Sequence, residues 1–280
     1  MKKKPTSLRR SMFMRLGFNF YDVAVTIFCV AFGLLCFYPL WYCLVASVMP
    51  YEEYVKGGLM LWFKGIDLQY YIQIFSTKVY TNSLLVSAVK TVLATALSVL
   101  VTSAMAYAVS KVHIRGMKLI NALVVFNLFF AGGLIPQYML YKSLHLTGNF
   151  WVMVLPGTLN ISYFIIMRNY FSFSVSRELE DAAMIDGCGN FGVLRNVIVP
   201  MAKPGIVTVC MITAMSAWNE FPVALIMLTD ETKKTMPIGL ATLYEQQRYA
   251  TDWGALFAAL ILALIPTILL FLIGQKLSLI

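Results

Sequence analysis

The stretch SLLVSAVKTVLATALSVLVTSAMAYA, residues 83–108, decides the fold class. It carries a single charged residue, Lys90, and it is longer than the roughly 20 residues that a helix needs to cross the hydrocarbon core of a bilayer. Inside a membrane, only helices and closed barrels satisfy the polar groups of the backbone. The stretch is therefore predicted to be a transmembrane helix.

The composition of the whole chain points the same way. Of its 280 residues, 60% are hydrophobic and only 12% are charged, so a soluble globule would lack the polar surface to cover its core. Hydropathy predicts six spans, at residues 23–48, 83–108, 119–140, 150–167, 206–228 and 253–273. We predict an all-α, polytopic membrane protein in which residues 1–280 form one domain.

Charged residues predict the orientation. The basic N-terminus could suggest a secretory signal, but the apolar run behind it is too long and lacks an A-x-A-like cleavage site, so it is read as a retained first helix. If the N-terminus is inside, the cytoplasmic segments hold 14 Lys and Arg and the outer segments hold 7. The positive-inside rule then places both termini in the cytoplasm. The net charge of +9 follows from this topology, and no nucleic-acid binding is expected.

A polar segment, RELEDAAMIDGCGNFGVLRNVIVP, interrupts the apolar pattern at residues 177–200. The predicted topology places it in the cytoplasm, between the fourth and fifth spans. A short helix is predicted over 177–186, because Glu178, Glu180 and Asp181 would lie in its first turn, where the positive end of the helix dipole favours carboxylates.

Gly187 is placed to end this helix, and a second short helix is predicted over 190–199, stopping before Pro200. Four residues share one face of the first helix at i, i+3, i+4, i+7 spacing: Leu179, Ala182, Ala183 and Asp186. Two interpretations follow from spacing alone. The face docks in a groove of another protein, or the helix is an amphipathic connector that rests on its own bundle.

This segment resembles the cytoplasmic loop of ABC-importer permeases, whose pattern is Glu-Ala-Ala, three residues, Gly, nine residues, then Ile-x-Leu-Pro. The matching residues are Asp181-Ala182-Ala183, Gly187 and Val197-x-Val199-Pro200. In that family the loop is the coupling helix that seats in a cleft of the cytoplasmic ATPase subunit. Asp181 stands where the family usually has Glu and reaches one methylene less far, for which the neighbouring Glu180 could compensate.

Three further stretches, GGLIPQYMLYKSL (132–144), SAWNEFPVALIMLTD (216–230) and TMPIGLATL (235–243), resemble the carbohydrate-uptake branch, and specifically the maltose-type second permease subunit. The resemblance implies a multi-pass protein of the bacterial cytoplasmic membrane. It implies as partners a second homologous permease, two ATPase subunits that bind ATP and Mg, an extracytoplasmic solute-binding protein and the membrane lipid. The outer loop 229–254 is expected to touch the binding protein.

The chain is not expected to be an enzyme. The sequence contains no G-x-x-x-x-G-K-[ST] phosphate loop, so ATP would be hydrolysed by the partner subunits. With two His and no C-x-x-C motif, neither a metal site nor a cofactor of this chain is expected.

Two charges fall inside predicted spans, Lys90 and Glu220. Both lie roughly 12 Å below the outer boundary at 1.5 Å per residue, so they could meet. An unpaired charge there costs several kcal/mol, and we hypothesise either an ion pair or contacts from each residue to a polar pathway. The alternative is that Lys90 snorkels outward while Glu220 bonds to backbone or faces water. Trp218 and Asn219 are further candidates to line the pathway, although roles in helix packing fit them equally.

Two other functions are considered. The chain could import a different solute by the same machinery, such as a polyamine or a phosphorylated polyol. It could also be a secondary transporter or channel driven by the membrane gradient. Such a protein would favour a relay of ionisable residues through the spans, for which Lys90 and Glu220 are nearly the only candidates.

Overall fold

The computed structural model describes residues 20–58, 60–110, 116–130, 132–249 and 252–278. All regular secondary structure in these ranges is helical, which confirms the all-α prediction. The helices are α1 (Phe20–Val48), α2 (Tyr51–Val55), α3 (Gln69–Ser76), α4 (Lys78–Ser110), α5 (Met117–Phe129), α6 (Leu134–Ser143), α7 (Ile161–Ser174), α8 (Arg177–Ile185), α9 (Asn190–Met201), α10 (Lys203–Asn219), α11 (Pro222–Met227), α12 (Met236–Gln247) and α13 (Gly254–Ser278). The basic residues before position 20, which support the predicted orientation, lie outside the described residues.

Within the described ranges, three helices are long and apolar enough to cross a membrane, namely α1, α4 and α13. Three bent pairs pass the same test: α5 with α6, the segment Phe150–Thr158 with α7, and α9 with α10. The bend is 43° in the second pair and 84° in the third. The described residues thus provide three spans, or up to six if each bent pair is one span.

The predicted spans 119–140, 150–167 and 206–228 are not single helices. The first breaks after Phe129 and resumes at Leu134. The second consists of two 3₁₀ turns, the later one starting at Pro156, before α7 begins. The third ends at Asn219, and Pro222 then starts α11. Pro222 donates no N–H and its ring crowds the carbonyl four residues earlier, which favours a break in the helix at this point. The longer helices α1 and α13 continue through Pro39 and Pro266.

Helix α4 lies at the centre of the bundle, against α7, α10 and α12. Most of its buried residues are small, and many are polar: Ser83, Ser87, Thr91, Ala94, Thr95, Ser98, Thr102, Ser103 and Ala106. Its other buried residues are Tyr80, Lys90, Tyr107 and Val109. Small side chains let helix backbones approach closely, which is how helices associate where no hydrophobic effect drives them together. The small polar residues of α4 are therefore largely a packing surface between helices.

Two of the four apolar clusters among the described residues contain the broken spans. One, the α7 cluster, joins α4, α5, α7, α9 and α10 through Ala106, Val124, Phe164, Met167, Phe171, Val193, Ile198 and Val209. The other, the α11 cluster, joins α6, the 3₁₀ turn at 150–153, α11 and α12 through Tyr141, Val152, Met153, Ala224, Met227 and Ile238. The broken spans connect one cluster to the other, and each break falls between them.

Most of α1 contributes nothing to either cluster. Its apolar side chains are exposed along nearly its whole length, for example Phe28 and Leu35, and only its C-terminal end is buried, around Val45 and Ala46. Such a helix requires lipid or another subunit around it.

Candidate coupling segment and translocation face

The segment 177–200 forms a helical hairpin of α8 and α9. In α8, Glu178 and Glu180 lie in the first turn, as predicted, and Asp181 falls just after it. Both carboxylates thus lie at the start of the helix, where negative charge is stabilising.

Gly187 ends α8 through a Schellman motif. It has a φ of +89°, which an L-residue with a Cβ rarely adopts. Its N–H donates to the carbonyl of Met184 at 3.1 Å, and the N–H of Cys188 donates to the carbonyl of Ala183 at 3.0 Å. These are the two bonds that define the motif, and they fix the angle at which the chain leaves α8. The predicted end of the helix is confirmed to within one residue.

The second helix differs from the prediction. It starts at Asn190, as expected, but it runs through Pro200 to Met201. Residues Leu194–Ile198 form a π-helical segment, in which the N–H of Val199 donates to the carbonyl of Leu194. Pro200 donates no N–H, so one bond is absent from the helix anyway, and the wider π turn accommodates its ring.

The proposed docking face of α8 is split. Ala183 is half-buried and packs against the α7 cluster, whereas Leu179, Ala182 and Asp186 are exposed. One side of α8 rests on its own bundle, as the connector interpretation expects, and the other side is exposed. Docking of the exposed side in a partner stays a prediction.

The most exposed large apolar residues of the hairpin were not identified from the sequence. Ile185 is 84% exposed and Phe191 is 73% exposed, on either side of the Gly187 turn. A large apolar residue beside each end of a glycine turn is the signal that could have identified them. We call these two exposed side chains, which flank the Gly187 turn in the sequence, the apolar tip of the hairpin.

Lys90 is buried, with 1% of its surface exposed, and its Nζ has no hydrogen-bond partner among the described residues. It does not snorkel outward. Glu220 lies within electrostatic reach of it, but the ion pairs of the described residues do not include these two. The hypothesised direct ion pair is therefore not present.

Glu220 bonds to backbone, which confirms that part of the alternative predicted from the sequence. Its carboxylate accepts hydrogen bonds from the N–H of Val223 at 2.9 Å and of Ala224 at 3.2 Å. These N–H groups open α11 and have no helical partner of their own. Glu220 thus satisfies the start of α11, at the point where the predicted fifth span breaks.

Trp218 and Asn219 point to different environments. Trp218 is buried between α10 and α13, where its Nε1 donates to the carbonyl of Ala263 at 3.2 Å. Asn219 is exposed and donates from Nδ2 to the carbonyl of Met215 at 2.8 Å. Of the four pathway candidates, the structure leaves only Asn219 on an open surface; Lys90 and Trp218 are buried and Glu220 is partly buried.

The predicted outer loop 229–254 is described over residues 229–249 and 252–254. Asp230 starts it as the cap of a 3₁₀ turn, accepting from the N–H of Thr232 at 2.9 Å. This bond, together with one from the Thr232 hydroxyl and contact with Lys233, lowers the pKa of Asp230. The loop then forms α12, whose buried first residue, Met236, donates its N–H to the Ser87 hydroxyl of α4 at 2.7 Å. Among its described residues, the exposed ones are Thr229, Glu231, Thr232, Tyr244, Glu245, Gln246, Arg248 and Tyr249.

The sequence profile of the family described as binding-protein-dependent transport system inner membrane component matches residues 7–278. The chain belongs to this family. The resemblance drawn from the 177–200 pattern is thereby confirmed for nearly the whole permease, and the inner membrane is its location.

Relatives and a solved structure agree with this assignment. The permease is 35% identical over 213 residues to the polygalacturonan/rhamnogalacturonan transport system permease protein YtcP of Bacillus subtilis, which covers 76% of this chain and 74% of the relative. It is 27% identical over 264 residues to the arabinooligosaccharides transport system permease protein AraQ of the same organism, over 92% and 93% of the two chains. A chain from a bacterial ABC transporter involved in the import of the acidic polysaccharide alginate superposes with a TM-score of 0.85 at 26% identity, over 98% of this permease and 99% of that chain.

Proposed function

We propose that the permease forms half of the translocation pathway of an ATP-driven importer for a sugar or oligosaccharide. The observation that carries the proposal is the α8–α9 hairpin, which presents an exposed face and an apolar tip to a partner while its other side packs into the α7 cluster. A surface of this kind suits a joint between a motor and the helices that it moves.

The second homologous permease would complete the pathway, and two ATPase subunits would bind ATP and Mg. Both termini would be cytoplasmic, as the distribution of Lys and Arg predicts, so the hairpin would face the ATPases. The segment 177–200 would then act in coupling, with Glu178, Glu180, Asp181, Ala182, Ala183, Asp186 and Gly187 as the residues that seat or shape it. The exposed apolar tip adds Ile185 and Phe191 to this set.

Coupling would operate through packing. Ala183 and Cys188 of the hairpin rest on the same cluster that holds Phe164 of α7 and Val209 of α10. Close-packed interiors transmit displacement instead of absorbing it. Closure of the ATPases would therefore move the hairpin, α7 and α10 together and switch the pathway between its two openings.

The sugar assignment draws on the relatives, whose names specify polygalacturonan, rhamnogalacturonan and arabinooligosaccharides. An extracytoplasmic binding protein would deliver the solute at the loop 229–254, whose exposed described residues lie at 229, 231–232, 244–246 and 248–249. Import of a polyamine or a phosphorylated polyol is the alternative within the same machinery. A gradient-driven relay has less support, because the carboxylate of Glu220 is engaged by backbone N–H groups.

The test is uptake by the complete transporter, purified with its co-purifying subunits and reconstituted in liposomes with its binding protein. Arabinotriose, trigalacturonate and an alginate trisaccharide serve as probes, with spermidine and glycerol 3-phosphate as comparators. We expect ATP-dependent uptake of at least one trisaccharide and none by this chain alone. Uptake by the chain alone under an ion gradient, or uptake of a comparator only, would refute the proposal.

A further inference from the structure

The ends of α7 and α10 meet at the level where two predicted spans break. Tyr163 lies in the first turn of α7 and Ser216 in the last turn of α10, and their hydroxyls share a hydrogen bond of 2.7 Å. The antiparallel pair therefore brings Asn160, which caps α7, to the same level as Asn219, which ends α10. Helix α11, six residues long, follows this level in the chain.

Polar groups at this level are not covered by the chain itself. Asn160, Ser216 and Asn219 are exposed, and the Tyr163 ring is half-buried against the α7 cluster. Irregular backbone and polar side chains at membrane depth are tolerated where they are buried in protein or line a water-filled cavity. Because this chain does not bury them, they require the pathway or another subunit beside them.

We propose that Tyr163, Ser216 and Asn219 form a solute-contact site on the pathway face and bind the hydroxyl groups of the transported carbohydrate. The inference rests on the proposed import function and assigns it a site. Ser216 and Asn219 are three residues apart on α10 and share a face. The Oδ1 of Asn219 accepts no hydrogen bond from the described residues, and either hydroxyl of the Tyr163–Ser216 pair can donate outward once the other donates within the pair.

The chemistry of the three side chains selects the ligand class. A phenol, a hydroxyl and an amide are uncharged and offer both donors and acceptors in a small space, which matches the hydroxyl groups of a pyranose or furanose. A polyamine would require carboxylates, and a phosphorylated polyol would require cations or a set of N–H groups. The site is thus predicted to bind neutral and acidic sugars through the hydroxyls that they share.

The experiment measures solute taken up per ATP hydrolysed by the reconstituted complete transporter at saturating loaded binding protein. The probes are arabinotriose, trigalacturonate and the alginate trisaccharide. Tyr163→Phe and Ser216→Ala each remove one hydroxyl, and we expect each to lower this ratio about five- to tenfold, with ATP hydrolysis within about twofold of wild type because the packing is kept. Tyr170→Phe is the matched control, since it removes a hydroxyl from the same helix about 10 Å further along it, and it should leave the ratio unchanged.

The outcomes separate this site from the import function itself. A wild-type transporter that imports none of the three probes contradicts the proposed function. A wild-type transporter that imports, combined with unchanged ratios in both variants or an equal fall in Tyr170→Phe, overturns the site. A fall for trigalacturonate only overturns the hydroxyl-based recognition. Loss of the second permease on purification of Ser216→Ala would show that this face is a subunit contact, and it would also overturn the site.

Discussion

Replacing Gly205 by Ala is expected to destabilise the packing of α10 against α7. Gly205 is buried near the start of α10, and a Cβ built on it would lie 2.2 Å from Cγ of Tyr170 and 2.7 Å from its Cβ. Ordinary contacts between such atoms begin near 3.5 Å. Since the atoms in conflict are at the root of the Tyr170 side chain, relief requires movement of the α7 backbone or a change of the Tyr170 rotamer.

Overpacking of this kind costs about 1 to 3 kcal/mol, and the helix propensity of Ala returns only about 0.5 to 1 kcal/mol of that. For soluble domains of 150–250 residues, 1 kcal/mol corresponds to about 2 to 4 °C in Tm. We therefore expect the Tm of the detergent-solubilised complete transporter to fall by a few degrees, measured by tryptophan fluorescence at one fixed heating rate.

Two other glycines provide matched controls for the same change. A Cβ on Gly274 would meet Met211, with its Sδ at 2.0 Å, but a methionine side chain has three rotatable bonds and adapts to irregular gaps. Gly274→Ala should therefore cost less than Gly205→Ala. A Cβ on Gly33, in the exposed α1, meets nothing within 4 Å, so Gly33→Ala should be neutral or slightly stabilising.

A Tm for Gly205→Ala that is no lower than the Tm for Gly33→Ala would contradict the predicted overpacking. A second check uses the pair itself: Tyr170→Ala removes the ring that causes the closest contact, so the double variant should recover part of the loss seen in Gly205→Ala. Strictly additive losses would show that the two residues do not share the contact.

Three further predictions concern the hairpin and the start of α7. Gly187→Ala forces a Cβ into a left-handed conformation at a cost of about 1 to 2 kcal/mol, so ATP hydrolysis should persist while uptake falls; Gly187→Asn, which tolerates that conformation, should retain more uptake, and equal uptake in both contradicts the turn's role. Ile185→Ser with Phe191→Ser should reduce the yield of ATPase that co-purifies with an inserted permease, an expectation that unchanged recovery would refute. Asn160→Ala loses a cap worth about 1 kcal/mol and should lower Tm by a few degrees, whereas Asn160→Asp, which keeps the acceptor, should not.

Local chemistry explains what the sequence predicted well. The turn at Gly187 depends on one residue that tolerates positive φ, and the start of α9 at Asn190 lies beside it. The apolar runs that predict α1, α4 and α13 contain only one charged residue between them, Lys90. Length and hydropathy are therefore enough to predict these helices. Each of these features is specified by residues that are neighbours in the chain.

The breaks in the other spans and the surroundings of Lys90 depend on tertiary contacts instead. Pro222 was a visible signal for the end of α10, but an average over about 20 residues conceals it behind the apolar residues on both sides. Depth alone suggested that Lys90 and Glu220 could meet. It could not reveal that Glu220 would be engaged by the backbone N–H groups of α11, or that the α8 face would be shared between Ala183 packed inward and Leu179 exposed.

The arrangement of breaks and clusters bears on how movement is accommodated. The α8–α9 hairpin packs in the α7 cluster, whereas the segments next to α11 pack in the α11 cluster. A rotation of one cluster against the other must be absorbed where the chain passes between them. At the ends of α7 and α10 the helical hydrogen bonds are already interrupted, and side chains of Asn160 and Glu220 hold the adjoining N–H groups. Bending there breaks no backbone hydrogen bond of a continuous helix. Displacement of the hairpin therefore requires the least free energy at the level where Tyr163 and Ser216 meet.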